Sequence, residues 1–191
     1  MLTRIREKVS NYIVVIAKGF ALAGFKPNHL TIASLLFSFL AFISLYRYSN
    51  IGLYILFALL SGLMDSVDGA LARLMGKVSK RGAFLDSTLD RISDSLLIFP
   101  LIVLGYPIEL IAYLLVVSLL ISYVRARGEA LGLKLEGVGL IERAERLLFL
   151  VVIAGVYLIN PPISHALLYI LAVLSTITLL QRIVFVLERL G

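Results

Sequence analysis

"DSVDGALARLMGKVSKRGAFLDSTLD", Asp65 to Asp90, decides how this chain is read. It places Asp65, Asp68, Asp86 and Asp90, with Arg73, Lys77, Lys80 and Arg81, between segments apolar enough to lie in lipid. A carboxylate at the centre of a bilayer costs roughly 2.5–3.5 kcal/mol on insertion scales and more in simulations. Residues that expensive face a wet interior and mark a functional site by default.

The rest of the chain bears out the oily setting. Of 191 residues, 60% are hydrophobic, with a mean hydropathy of +1.00, whereas a soluble domain is roughly 45–50% apolar. A core of this size cannot hide that excess, so the reading is a single-domain, all-α integral membrane protein over residues 1–191. The absence of cysteine excludes disulfides, thiolate metal sites and a Cys nucleophile. His29 and His165 are far apart in sequence and make a poor zinc site. A net charge of +6 would suggest nucleic acid in a soluble protein. Here it reads as loops facing an anionic bilayer surface, and no nucleic-acid partner is expected.

Six spans are expected, at about 29–47, 51–75, 83–104, 108–127, 139–159 and 164–187. The breaks carry turn chemistry, as in "YSN" at 48–50, "GYP" at 105–107 and "NPPIS" at 160–164. With both ends of the chain on one side, Arg47 is the one cation of 18 at the opposite side. The positive-inside tendency then puts both termini, and nearly all the polar chemistry, on the cytoplasmic face of a cell membrane. Residues 1–26 read as a juxtamembrane, interfacial amphipathic helix, with Leu2, Ile5, Val9, Ile13 and Ile16 on one stripe. No cleaved signal-peptide pattern is expected there. "KPNHLT" then bends the chain, with Asn28 or Thr31 as the cap of the next helix.

On helices, Asp65 and Asp68 share a face, and Asp86 and Asp90 share another with Asp94 one turn deeper. The short linker is expected to make the two helices antiparallel neighbours, so the acid pairs meet. Several carboxylates together repel unless some protonate or divalent cations bind. A site of oxygens alone suits Mg²⁺ or Mn²⁺, which usually engage a phosphorylated substrate. Gly69 and Ala72 leave a bare surface for a ligand, and Arg73 offers a forked cation for phosphate. The competing reading is a set of structural ion pairs with Arg73, Arg81 and Arg91.

The stretch resembles the signature of the CDP-alcohol phosphatidyltransferase family, D-x2-D-G-x2-A-R-x8-G-x3-D-x3-D. Asp65, Asp68, Gly69, Ala72, Arg73, Gly82, Asp86 and Asp90 match every fixed position. The resemblance implies transfer of a phosphoalcohol from a CDP-linked donor to a hydroxyl, with release of CMP. It implies two Mg²⁺ or Mn²⁺ ions held by Asp65, Asp68, Asp86 and Asp90, with Asp90 also the catalytic base. By the same resemblance Asn28, Thr31, Gly69, Ala72, Arg73, Ser79 and Gly82 contact the CDP portion. Homodimers are common in the family, and Gly52, Ser61 and Gly62 are small enough for close helix contact.

The acceptor is read from "SYVRARGEALG" and "GLIERAERLL". Spacing alone allows salt-bridged helix ends, Arg125 with Glu129 and Glu142 with Arg146. Arg182 interrupts the apolar run "LLQRIVFVL", as an anion ligand or as a snorkelling cation. Both segments resemble the branch of the family that uses inositol 1-phosphate, the phosphatidylinositol-phosphate and archaetidylinositol-phosphate synthases. Arg125, Arg143 and Arg182 then bind the acceptor phosphate, with Arg146 beside them. Joining CDP-inositol to inositol 1-phosphate, and transfer to glycerol 3-phosphate, are the alternatives within the family. A divalent-cation transporter is the alternative outside it.

Overall fold

The computed structural model describes residues 2–190, with side chains from Tyr12 onward. Among them the regular structure is entirely helical: α1 (Leu2–Leu22), α2 (Pro27–Tyr46), α3 (Ile51–Leu74), α4 (Lys80–Ile98), α5 (Ile108–Ala130), α6 (Arg143–Tyr157) and α7 (Pro161–Leu190). A 3-10 segment, Phe99–Leu104, follows α4.

Local chemistry sets the helix ends that matter for the site. Pro27 is the first residue of α2, where its missing N–H costs nothing. The cap is Lys26, in extended backbone, whose N–H donates to His29 Nδ1 at 3.4 Å. Asn28 and Thr31 therefore do not cap. Both lie within the first helical turns, and Thr31 Oγ1 donates to the Pro27 carbonyl at 3.2 Å. α3 stops at Leu74, two residues before Gly76, which takes φ +62, a conformation that a side chain would strain. Ser79 caps α4 by accepting from Gly82 N–H at 3.0 Å.

Helices α2 to α7 alternate in direction. The starts of α2, α4 and α6 and the ends of α3, α5 and α7 therefore gather at one end of the bundle. α2 packs against both α3 and α4, α3 against α6, and α7 against α5 and α6. One expectation is corrected here. α3 and α4 are joined by a short linker yet have almost no close backbone contact with each other. α2 on one side and α6 on the other bridge them, which leaves a gap that their acidic side chains enter. The larger apolar core, with Tyr54, Leu97, Leu101, Leu114, Ile153 and Leu168 at its centre, includes residues from α2 through α7. A second cluster seats Ala17 of α1 against Leu30, Val67, Ala70 and Leu71 near the acids.

Small and hydroxyl side chains let the helices approach. Ser38 Oγ and Ser61 Oγ are 2.7 Å apart, and Ser34 Oγ donates to the Ser61 carbonyl at 3.0 Å. A Cβ on Gly62 would lie 3.2 Å from Leu147 Cδ1 of α6. Ser61 and Gly62, expected to suit contact with a second copy, are thus used within the chain.

Among the described residues four helices, α2, α3, α5 and α7, are long and apolar enough to cross a membrane, as befits a multi-pass membrane protein. α4 and α6 do not reach that standard. α4 carries Lys80, Arg81, Asp86, Asp90, Arg91 and Asp94 in 19 residues, and α6 has only 15. The expected 83–104 span becomes 3-10 helix from Phe99, where Pro100 has no N–H to continue the α-helical ladder. The expected 139–159 span is helical only from Arg143, because Gly137 and Gly139 take φ +77 and +117. α5 and α7 each run three residues beyond their expected ends, at 127 and 187. In the juxtamembrane segment Ile13, Ala17, Phe20 and Ala21 form the packed face, whereas Ile16 is exposed. The side chains of Leu2, Ile5 and Val9 lie outside the described residues.

Candidate active site

The acids meet in the gap between α3 and α4. One carboxylate oxygen from each of Asp65, Asp86 and Asp90 lies within 4.8 Å of the others, close enough to share a cation. Asp68 stands outside this trio and is the most buried acid among the described residues, at 4% exposure. Asp68 Oδ2 and Asp86 Oδ1 are buried without a hydrogen-bond partner among the described residues. A buried carboxylate oxygen with no donor is strongly unfavourable. The four-acid set, all hard oxygen with no His or Cys, therefore fits Mg²⁺ or Mn²⁺.

Two cavities open on this cluster from different sides. The first, about 500 Å³, contains Asp68 and Asp86. Its wall is built from the start of α2, with Asn28 and Thr31, and from Gly69, Ala72 and Arg73 on α3. Ser79 and Gly82 close it at the start of α4. All seven residues expected at a CDP group thus line one cavity. Glycine has an identifiable reason at two of them. A Cβ on Gly82 would press on Ser79 Oγ at 3.1 Å, against the capping hydroxyl. A Cβ on Gly69 would meet only the Arg73 guanidinium, at an ordinary 3.5 Å from Nη1 and 3.9 Å from Nη2, so the protein itself leaves room there. Pro27, Lys77, Val78 and Ala83 complete the wall; Lys77 was not assigned to the site from sequence, because a lysine in a basic linker carries no spacing signal.

The second cavity, about 230 Å³, contains Asp65 and Asp90 together with Arg125, Arg143, Arg146 and Arg182. Arg143 is the hub. Its Nη1 lies 2.8 Å from Asp65 Oδ2 and 3.1 Å from Asp90 Oδ1. Its Nε donates to Asp94 Oδ1 at 3.0 Å. Its Nη2 is buried with no acceptor among the described residues. Arg146 is 5% exposed and donates to Asp94 Oδ2 at 3.2 Å. Arg182 does not snorkel: it is 4% exposed. Its Nε donates to the Val138 carbonyl at 2.9 Å and its Nη1 to the Ile121 carbonyl at 3.0 Å. That ties the 131–142 loop and α5 to α7.

The ion pairs expected from spacing form only in part. Arg125 and Glu129 pair at 2.8 Å on an exposed helix face, whereas Arg146 turns from Glu142 to Asp94. Arg91 reaches Asp90 Oδ2 at 3.3 Å. Arg73 and Arg81 make no ion pair among the described residues, so ion pairing accounts for Asp65 and Asp90 but leaves Asp68 and Asp86 without a cation. Ser122, Glu142 and Arg91 also line the second cavity. Ser122, three residues before Arg125 on α5, was the one legible from helical spacing.

Comparison with known proteins agrees with this geometry. The family model described as CDP-alcohol phosphatidyltransferase matches residues 25–181, from two residues before α2 to one residue before Arg182. An archaetidylinositol phosphate synthase from Pyrococcus horikoshii is 37% identical over 191 residues, all of this chain and 98% of that protein. The crystal structure of Mycobacterium tuberculosis phosphatidylinositol phosphate synthase with CDP-DAG bound superposes with a TM-score of 0.78 at 34% identity. It covers 91% of this chain and 92% of that one. The same enzyme in complex with manganese and citrate gives 0.79 at 34% identity, covering 91% and 88%. With its eight signature residues gathered around one acid cluster and a match through α2 to α7, the chain belongs to the CDP-alcohol phosphatidyltransferase family.

Proposed function

We propose that this protein transfers a phosphatidyl-type group from a CDP-lipid to inositol 1-phosphate, releasing CMP. The observation that carries the reading is the meeting of two cavities at one set of carboxylates. One is suited to a nucleoside diphosphate and the other is lined by five arginines, Arg91 among them. The full-length likeness to an archaetidylinositol phosphate synthase favours CDP-archaeol as the donor.

Asp65, Asp68, Asp86 and Asp90 would hold two divalent cations, Mg²⁺ or Mn²⁺. When bound, these supply positive charge that offsets the pyrophosphate and the departing CMP. The remaining work belongs to the chain. Asn28, Thr31, Gly69, Ala72, Arg73, Ser79 and Gly82 seat the CDP portion in the first cavity. Arg125, Arg143, Arg146 and Arg182 hold the acceptor phosphate in the second, which fixes the inositol hydroxyl near Asp90. As that hydroxyl forms its bond to the lipid-bearing phosphorus, Asp90 takes its proton and the bond to CMP breaks. Holding both reactants in place converts a bimolecular encounter into a local one.

We place six helices, α2 to α7, through the membrane, with α1 along its surface. α4 and α6 can cross because their polar turns face the cavities and their lower halves join the apolar core. The cation distribution supports a site on the cytoplasmic side. CMP then leaves to water while the lipid stays between helices. Pairing of two copies through close helix contact would draw on Gly52, since Ser61 and Gly62 are covered within the chain.

The test is an assay of purified protein with radiolabelled inositol 1-phosphate, paired in turn with CDP-archaeol, CDP-diacylglycerol and CDP-inositol. Label entering lipid together with CMP release supports the proposal. A water-soluble labelled product from CDP-inositol alone, or transfer only to glycerol 3-phosphate, would replace it.

A further inference from the structure

We infer that Asp94 is a positioning residue that orients the acceptor-binding arginines, an inference that rests on the proposed acceptor cavity. Asp94 lies one turn beyond Asp90 on the same face of α4, about 6 Å deeper along the helix. Its side chain is 13% exposed and stands beside a small cavity with Leu97, Leu147 and Leu150. It is outside both larger cavities, so it contacts neither a ligand in them nor a reacting atom.

Both of its oxygens are committed, and to different guanidinium groups. Oδ1 accepts from Arg143 Nε at 3.0 Å and Oδ2 from Arg146 Nη2 at 3.2 Å. Arg143 and Arg146 stand one turn apart on α6, where two like charges would drive each other away. The carboxylate between them removes that repulsion and fixes the rotation of each fork. With Nε held by Asp94, Arg143 must present its Nη edge to the acid cluster. Nη1 then reaches Asp65 and Asp90, and Nη2 is left buried without an acceptor. A buried guanidinium N–H with no partner suits an incoming phosphate oxygen. Asp94 thereby sets where the acceptor phosphate sits relative to Asp90.

Asparagine at this position tests the idea at constant shape. One side-chain oxygen survives, but the amide nitrogen would face Arg146 Nη2 or Arg143 Nε donor to donor. The experiment is steady-state kinetics of Asp94→Asn in detergent, varying acceptor and donor separately, with inorganic phosphate as a competitor of the acceptor. Acceptor KM and the phosphate inhibition constant are expected to rise together by roughly tenfold to a hundredfold, the usual scale for losing an orienting partner. Donor KM is expected to stay at its wild-type value, and kcat to fall less than acceptor KM rises. If the Asn variant does not purify folded, Asp94→Glu takes its place. It keeps the charge, lengthens the arm by one methylene, and is expected to show a smaller rise in the same two constants.

An unchanged acceptor KM and phosphate inhibition constant, or donor and acceptor KM moving together, would overturn the inference. The wild-type arm separates the two readings. Saturation by glycerol 3-phosphate but not inositol 1-phosphate removes the proposed acceptor, and Asp94 is then judged on the KM for glycerol 3-phosphate. Indifference of the wild type to both acceptors and to inorganic phosphate defeats both readings together.

Discussion

Gly69→Ala should make this protein more stable and less active at once. Gly69 is in the interior of α3, where glycine is disfavoured relative to alanine by roughly 0.8–1.0 kcal/mol. The added Cβ would find its nearest neighbour, Arg73 Nη1, at 3.5 Å, which is ordinary contact and no clash. The folded protein should therefore keep most of that gain, a rise in melting temperature of roughly 2–4 °C for a chain of this size. The same Cβ points into the cavity proposed to seat the CDP group, so it meets the ligand in place of protein. Displacing a reacting group by about 1 Å can cost on the order of 10²-fold, and donor KM and kcat/KM should change on that scale while acceptor KM does not. The assays are thermal unfolding in detergent and CMP release as a function of donor concentration. Gly128→Ala is the contrasting case. Its Cβ would come within 2.6 Å of Leu135 Cδ1, so it should lose stability without a selective effect on the donor. A Gly69→Ala protein with unchanged donor KM, or one that is destabilised, would refute the argument that this glycine serves the ligand.

Other outcomes follow from the same geometry. Asp90→Asn should retain donor binding by isothermal titration yet lose turnover, and normal CMP release would remove Asp90 from the base role. Arg182→Lys cannot hold the Val138 and Ile121 carbonyls with a planar fork. It should raise acceptor KM and speed proteolysis in the 131–142 loop, and wild-type values for both would detach Arg182 from the acceptor site. Chelation with EDTA should abolish transfer, with recovery on adding Mg²⁺ or Mn²⁺; synthesis that persists in EDTA would defeat the reading of the four acids as cation ligands.

Much of the site was legible because its chemistry is local. The pairs Asp65/Asp68 and Asp86/Asp90 declare a shared face by their spacing, whereas Ser79 and Gly82 were tied to the CDP group by resemblance alone. The role of Arg143 as the bridge among Asp65, Asp90 and Asp94 was not legible, because those contacts span dozens of residues and depend on how α6 docks. Proximity in sequence pointed to Arg73 and Arg81 as ion-pair partners, and the fold chose otherwise. The gap between α3 and α4 was hidden for a similar reason. A short linker implies antiparallel neighbours, whereas the packing of α2 against both helices separates them. The late start of α6 was foreshadowed by Gly137 and Gly139, but hydropathy averages across such glycines and extends the span through them.

In the proposed reaction, donor and acceptor occupy two cavities at once on either side of one acid cluster. The most direct measurement is a two-substrate initial-rate study on purified protein, varying CDP-archaeol and labelled inositol 1-phosphate together and counting CMP and labelled lipid in the same samples. One CMP per labelled lipid, no CMP without acceptor, and intersecting double-reciprocal lines are predicted. Parallel lines, the mark of a covalent enzyme intermediate, or CMP released in the absence of acceptor, would contradict it.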